Sequence, residues 1–262
     1  VSALPSVLIT GASTGIGAVY ADRFARRGHD LILAARDLTR LNALAARLRQ
    51  DYGVAVDVVP TDLNVPAALG RLEALLHNDE RIGVLINNAG AAGTGGFLDQ
   101  SPDQVAQLIG LNITALARLS AAVAPRFAAA GRGAIVNVGS VVGLAPELGM
   151  TVYGATKAFV LFLSQGLQLE LGPKGVYVQA VLPSATRTEI WERSGKDIDA
   201  LPAVMEVDDL VDAALAGYDR REPVTIPPLH DAGQWEAFEA ARTAMLPNFM
   251  QSQPAPRYRA AA

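Results

Sequence analysis

Tyr153 and Lys157 stand four residues apart in VYGATKAF, thirteen and seventeen residues after Ser140. Residues i and i+4 of a helix share one face, which would set the phenol beside the ammonium. A phenol is a poor acid or base near neutrality, because its unperturbed pKa is about 10. A neighbouring cation favours the phenolate and would draw that value toward working pH. Ser140 closes the apolar run GAIVNVGS, where a hydroxyl can address the same substrate atom. Together the three side chains suit proton transfer to and from an oxygen. Taken alone, the Tyr–Lys spacing also suits the plain face of an amphipathic helix, so the reading depends on a companion site.

That companion opens the chain. Ser6–Thr10 is a short apolar run of strand type, followed at once by GASTGIG and a helical stretch through Arg27. Gly11, Gly15 and Gly17 follow GxxxGxG, which differs from the GxGxxG dinucleotide fingerprint but shares its physics. Glycines let the backbone approach a pyrophosphate, and the next helix offers free N–H groups to negative charge. A tight turn without a ligand is the alternative. A third segment, VLINNAG at Val84–Gly90, runs from a buried-type strand into polar and then small residues. Such a place suits backbone passing close to a ligand.

With TGASTGIG, NNAG, Ser140 and YGATK in this order, the chain resembles the short-chain dehydrogenase/reductase family from about Ser6 to Pro227. The resemblance implies an NAD(P)-dependent oxidoreductase. Tyr153 would exchange a proton with the substrate oxygen, Ser140 would steady that oxygen, and Lys157 would hold the nicotinamide ribose and lower the Tyr153 pKa. Asn112, in GLNITAL, would be the fourth catalytic position, linking Lys157 to solvent through a water; a structural bond across a helix kink is the alternative. The cofactor would lie along Gly11, Ser13, Thr14, Gly15, Ile16 and Gly17, then Asp62 and Leu63, then Asn88, Ala89 and Gly90. Asp62 would accept from the adenine amino group, or cap the helix that follows, or do both; Asn87 would support the sheet. Tyr153 and Lys157 also touch the cofactor in this family. After strand six the family reads Pro-Gly-x-x-x-Thr, and this chain has Pro183, Ser184, Thr186 and Thr188, with serine in place of glycine.

Cofactor choice turns on the end of strand two, LAARD. An NAD-preferring site places an acid there for the ribose 2′-hydroxyl. Ala35 fills that position and Arg36 follows, where a guanidinium can hold a 2′-phosphate. The alternative is a solvated Arg36 beside Asp37 as helix cap. NADP(H) is therefore favoured, with NAD(H) as the second option.

The 262 residues are half hydrophobic, with mean hydropathy +0.23, net charge −4 and no cysteine. These values allow one large α/β domain: a core over about 6–227 and a tail over 228–262. Strand and helix alternate: strands over Leu31–Ala35, Val54–Val59, Val84–Asn87, Ala134–Val138, Val176–Leu182 and Val224–Ile226 follow the first. Between them lie helices, one capped by Asp37 or Thr39 and another opening at Ser101-Pro102 with Gln104 and adjusting at Pro125. This predicts a doubly wound Rossmann-like fold, a mostly parallel seven-stranded sheet with helices on both faces, and one cleft beyond the strands' carboxyl ends. The acidic balance argues against nucleic acid. No unbroken apolar run reaches the ~18 residues of a membrane span, and a cytoplasmic location is expected. No metal site is expected from the three scattered histidines.

The substrate should be a small carbonyl or alcohol, held by an apolar wall from Phe97, Leu98, Val142, Leu144, Met150, Trp191, Leu201 and Met205. Arg187 and Glu147 are candidates for a polar substrate group or for surface ion pairs. Two rivals are weighed: a nucleotide-sugar epimerase or dehydratase, disfavoured by the short segment after strand seven, and a non-catalytic NADP sensor, disfavoured by the intact Tyr–Lys pair. A homodimer or homotetramer is expected through the two long helices, with Leu116, Leu119, Val123, Phe159, Phe162 and Leu163 as contacts or core. The tail spacing of Trp235, Phe238, Ala241 and Met245 predicts a docking helix over Asp231–Leu246.

Overall fold

Strand residues divide their side chains between two layers, and the alternation along β1 (Ser6–Thr10) shows how. Val7 and Ile9 join one apolar cluster and Leu8 the other. The structure, a computed structural model, describes residues 4–93, 96–189 and 197–259. Contacts divide the chain into Val1–Pro227 and Pro228–Ala262.

In the larger unit, β1 is joined by β2 (Leu31–Ala35), β3 (Val56–Pro60), β4 (Ile82–Asn87), β5 (Gly133–Val138), β6 (Val176–Val181) and β7 (Val224–Thr225). Their order is β3-β2-β1-β4-β5-β6-β7 and every pairing is parallel. The connections leave β1 and β4 in opposite directions, which opens a crevice at their carboxyl ends. On one face Tyr20 and Phe24 of α1 (Gly15–Arg26), Leu41 and Leu48 of α2 (Leu38–Tyr52) and Val211 of α7 (Val207–Asp219) are buried. On the other, Leu72 of α3 (Pro66–Asn78), Leu119, Val123 and Phe127 of α5 (Leu116–Ala130) and Leu171 of α6 (Thr151–Leu171) are buried.

Local chemistry sets the boundaries. Asp37 caps α2 by accepting from Arg40 N, and Gly53 ends it at φ 69°, so β3 starts at Val56 rather than Val54. Ser101 and Gln104 form the expected capping box of α4 (Pro102–Ile109). The irregularity expected at Pro125 lies instead at Gly110–Ala115, a π-helical segment joining α4 to α5. The cause is tertiary: Asn112, buried at its centre, donates to Ala91 O at 2.9 Å and Thr156 Oγ1 at 3.0 Å and accepts from Ala91 N at 3.0 Å. This 29-residue helix, Pro102–Ala130, is long and apolar enough by composition to cross a membrane. Its apolar residues Leu116, Leu119, Val123 and Phe127 are occupied against the sheet.

The second unit holds α8 (Ala232–Ala244), capped by Asp231, with Trp235 and Phe238 stacked at 5.4 Å. None of its residues is buried.

Candidate active site

The carboxyl ends of β1, β2, β4, β5 and β6 surround a cleft of about 640 Å³. At its β1 side the glycine loop holds Gly11 and Gly15 at φ 65° and 54°, a region that favours glycine. A Cβ at Gly11 would lie 2.9 Å from Ala89 Cα, so the two loops nearly touch. Ser13, Thr14 and Ile16 line the cleft with them. Thr14 precedes α1 in extended conformation and its side chain makes no capping bond, so the helix N–H groups remain available to an anion. Gly17 is a correction: it does not line the cleft. A Cβ there would stand 2.4 Å from Gly11 O and 2.5 Å from Asn88 Nδ2, so its role is to let α1 pack under the loop.

Asn88 fastens that packing, donating through Nδ2 to Thr10 O at 2.9 Å and Gly11 O at 3.2 Å. Thr10 Oγ1 accepts from Asn88 N and Ala89 N, both at 3.0 Å. Asn88, Ala89 and Gly90 all face the cleft, as do Asp62 and Leu63. One Asp62 oxygen accepts from Asn64 N at 2.9 Å. Asn87 lies in the sheet and donates to Ser120 and Asn137, both at 3.0 Å.

Beyond β2, Ala35, Arg36 and Asp37 border the cleft. Asp37 is engaged by Arg40, through its backbone N at 3.0 Å and side chain at 3.3 Å. Arg36 is exposed and makes no ion pair or hydrogen bond among the described residues. An uncommitted guanidinium and an alanine at the acid position fit a phosphorylated ribose better than a bare one.

Beyond β5 and β6 the proton-transfer groups meet. Ser140 is buried, donating to Pro183 O at 3.3 Å and accepting from Val142 N at 3.2 Å. The next turn rests directly on α6: a Cβ at Gly143 would lie 2.7 Å from Ala158 N and from Lys157 C. That contact sets the Ser140 hydroxyl beside the Tyr153 phenol, near enough to act on its proton. Lys157 Nζ lies 5.6 Å from the Tyr153 ring centre and donates to Val138 O at 2.8 Å. Burial pushes Tyr153 up to about 12, against a smaller lowering by the Ser140 bond, and pushes Lys157 down to about 8. This corrects the expected lowering of Tyr153 by Lys157. Both groups are desolvated, and burial is the first cause acting on each.

Lys157 is 5 % exposed, lines the cleft, and makes one hydrogen bond among the described residues. Two of its three donors are left for whatever enters, which suits a ribose diol. Asn112, placed in the catalytic set, takes instead the role that was its alternative, a structural bond at a helix irregularity. It does not line the cleft, and its side-chain bonds to Ala91 and Thr156 make it a positioning residue. Gly90 threads past it, since a Cβ there would meet Asn112 Oδ1 at 3.3 Å and Lys157 Nζ at 3.5 Å.

Pro183, Thr186 and Thr188 line the same cleft. Ser184 does so too, and needs no left-handed backbone, so serine replaces the family's glycine without strain. Of the expected apolar wall, Val142 and Met150 reach the cleft. Phe97 and Leu98 do not; they are 60 % and 97 % exposed on a one-turn 3₁₀ helix. Leu144, Leu201 and Met205 also lie off the cleft, and Trp191 lies outside the described residues. Ala91 and Ala92, at the start of the expected wall segment Ala91–Leu98, line it instead, with Leu111 and Ala185, which no expectation named. Within that segment the expectation fell on its large side chains, Phe97 and Leu98, because small ones carry no signal of their own. Arg187 pairs with Asp199 at 2.9 Å and Glu206 at 3.0 Å, on the surface.

The comparisons with known proteins agree with this geometry. Residues 5–199 match the family described as short chain dehydrogenase, and the chain belongs to that family of oxidoreductases. A very-long-chain 3-oxoacyl-CoA reductase of Danio rerio is 35 % identical over 187 residues, 70 % of this chain and 58 % of its own length. The chain thus spans somewhat under two thirds of the curated relatives it matches. A solved short-chain dehydrogenase from Sphingobium yanoikuyae, in complex with NADPH, is 66 % identical with a TM-score of 0.97, covering 98 % of this chain and 100 % of that one. A bulky-bulky ketone specific alcohol dehydrogenase from Comamonas testosteroni is 56 % identical with a TM-score of 0.91, covering 97 % and 98 %.

Proposed function

We propose that the protein is an NADP(H)-dependent reductase of ketones with a large group on each side of the carbonyl, working in the cytoplasm. The observation that carries it is the shared cleft: Ser140, Tyr153 and Lys157 at one margin, the glycine loop and free Arg36 at the other. The NADPH-bound and bulky-ketone relatives support the choice of cofactor and substrate class, as do the small side chains of Ala91, Ala92 and Ala185. A nicotinamide held in the cleft would supply the hydride for the carbonyl carbon. Tyr153, held protonated by burial, gives its proton to the carbonyl oxygen. Ser140 donates to that oxygen as its charge grows. Lys157 holds the ribose with its remaining donors and replenishes the proton of Tyr153.

The test is the near-ultraviolet absorbance of reduced nicotinamide against a panel of small and two-sided bulky ketones. We expect turnover of the bulky ketones with NADPH well above NADH, and none in Tyr153→Phe, which should still bind nucleotide. No turnover of any carbonyl with either cofactor would overturn the enzymatic reading. Full activity in Tyr153→Phe would overturn the assignment of the proton donor.

A further inference from the structure

Arg40 and Glu189 are 149 positions apart in the chain, yet Arg40 Nη1 donates to Glu189 Oε2 at 2.5 Å. Arg40 lies in the first turn of α2, just beyond β2, whereas Glu189 belongs to the segment that leaves β6. Those two strands are separated by β1, β4 and β5, a span of about 19 Å at the usual strand spacing. The segment from β6 therefore crosses the cleft. A second contact shows where, since a Cβ at Gly15 would meet Thr188 Cγ2 at 3.1 Å. The crossing runs over the glycine loop and the first turn of α1.

Its base is firmly built. Thr186 bridges to Met205, Arg187 N donates to Met205 O and Met205 N to Ala185 O, both at 2.9 Å. Its far end is held by charge on the surface, with Arg40 and Glu189 side chains 47 % and 38 % exposed. Glu189 also lines the cleft.

We infer that the Arg40–Glu189 ion pair is a latch, fastening this strap across a bound dinucleotide and setting how fast it leaves. The inference rests on the reading that the cleft holds a dinucleotide. A ligand lying beneath the strap leaves when Glu189 lifts, and among the described residues the Arg40 pair is the charged contact that holds Glu189 to α2. Exposed pairs shift such an opening by about two- to fivefold and are screened by salt. The latch thus governs release more than recognition.

NADPH release from the whole protein, followed by its fluorescence after mixing with excess NADP⁺, tests this. Glu189→Gln and Arg40→Gln should each speed release about threefold at low salt, and the double variant no further. Added salt should accelerate the wild type more than the variants and so close the gap between them. Glu189→Asp, which keeps the charge, should retain the salt dependence. Unchanged release in Glu189→Gln, or effects that multiply in the double variant, would overturn the latch and leave the dinucleotide reading standing. If the wild type shows no saturable NADPH binding, both fall together.

Discussion

Lys157 carries the tension between function and stability at the scale of single residues. Its ammonium is almost wholly buried, and burial brings its pKa from 10.5 down to about 8. Below pH 8 the folded and unfolded chains both hold the proton, and the full penalty of the buried charge stands. Between pH 8 and 10.5 the unfolded chain binds a proton the folded chain has released, so stability rises with pH across that window. The shift corresponds to roughly 3 kcal/mol. Replacing Lys157 by Met removes it but orphans Val138 O, a loss of about 1 kcal/mol. Lys157→Met should therefore be about 2 kcal/mol more stable than wild type in urea at pH 7, with the gain gone near pH 10.5 and turnover abolished. Arg36 makes the opposite case, a charge with no structural duty. Arg36→Ala should leave the melting temperature unchanged and weaken NADPH binding by roughly ten- to a hundredfold, with little change for NADH; titration of both nucleotides by fluorescence checks this. The chemistry-bearing residues were legible because each needs its own side chain. Gly17 was misplaced, and Asn112 stayed open between two roles, because packing glycines and positioning amides have the same appearance in a sequence as binding ones.

At the scale of elements, the site depends on how the turn after β5 meets α6. Ser140 reaches Tyr153 because the 3₁₀ helix Val141–Leu144 lies against α6, and Gly143 allows that approach. Gly143→Ala would place a methyl 2.7 Å from the α6 backbone, which cannot yield without moving the turn. Ser140 should then lose the phenol: kcat should fall at least tenfold, melting temperature should drop, and the NADPH dissociation constant should stay near wild type. Steady-state kinetics beside nucleotide titration separates these effects. The same logic explains what the sequence could and could not convey about the fold. The caps at Asp37, one of two candidates there, and Ser101 are local devices, and they open their helices where the sequence placed them. The π-helical turn at Gly110–Ala115 has no local cause. It depends on Ala91 and Thr156, residues far away in the chain; the alternative role given to Asn112 pointed toward it, while the proline signal at Pro125 pointed one helix turn and more downstream. Substrate-wall residues failed for a related reason: an apolar residue near a motif is apolar whether it faces the cleft, as Met150 does, or the solvent, as Leu98 does.

For the whole molecule, the question is what covers the apolar residues the larger unit leaves outside. Half of the contacts expected from the two long helices are spent internally, with Leu116, Leu119 and Val123 buried against the sheet. Along α6, however, Phe159, Phe162 and Leu169 are 37 %, 79 % and 80 % exposed. They lie three and seven residues apart, on one face of the helix, and Gly166 between them has open space beside it. Three large apolar side chains on one stripe form the kind of patch that marks an association site. A second copy of the chain is the natural partner, because a stripe along a helix can face itself across a twofold axis, each phenylalanine meeting the glycine gap of the other. We therefore propose a homodimer built on α6. Phe162→Glu would place two carboxylates in the centre of that apolar contact and should yield a folded monomer at micromolar concentration, with the far-ultraviolet spectrum unchanged. Light scattering of wild type and variant decides it: equal masses, whether both monomeric or both dimeric, would remove α6 as the interface, and the assignment of Ser140, Tyr153 and Lys157 would be untouched, since all three come from one chain.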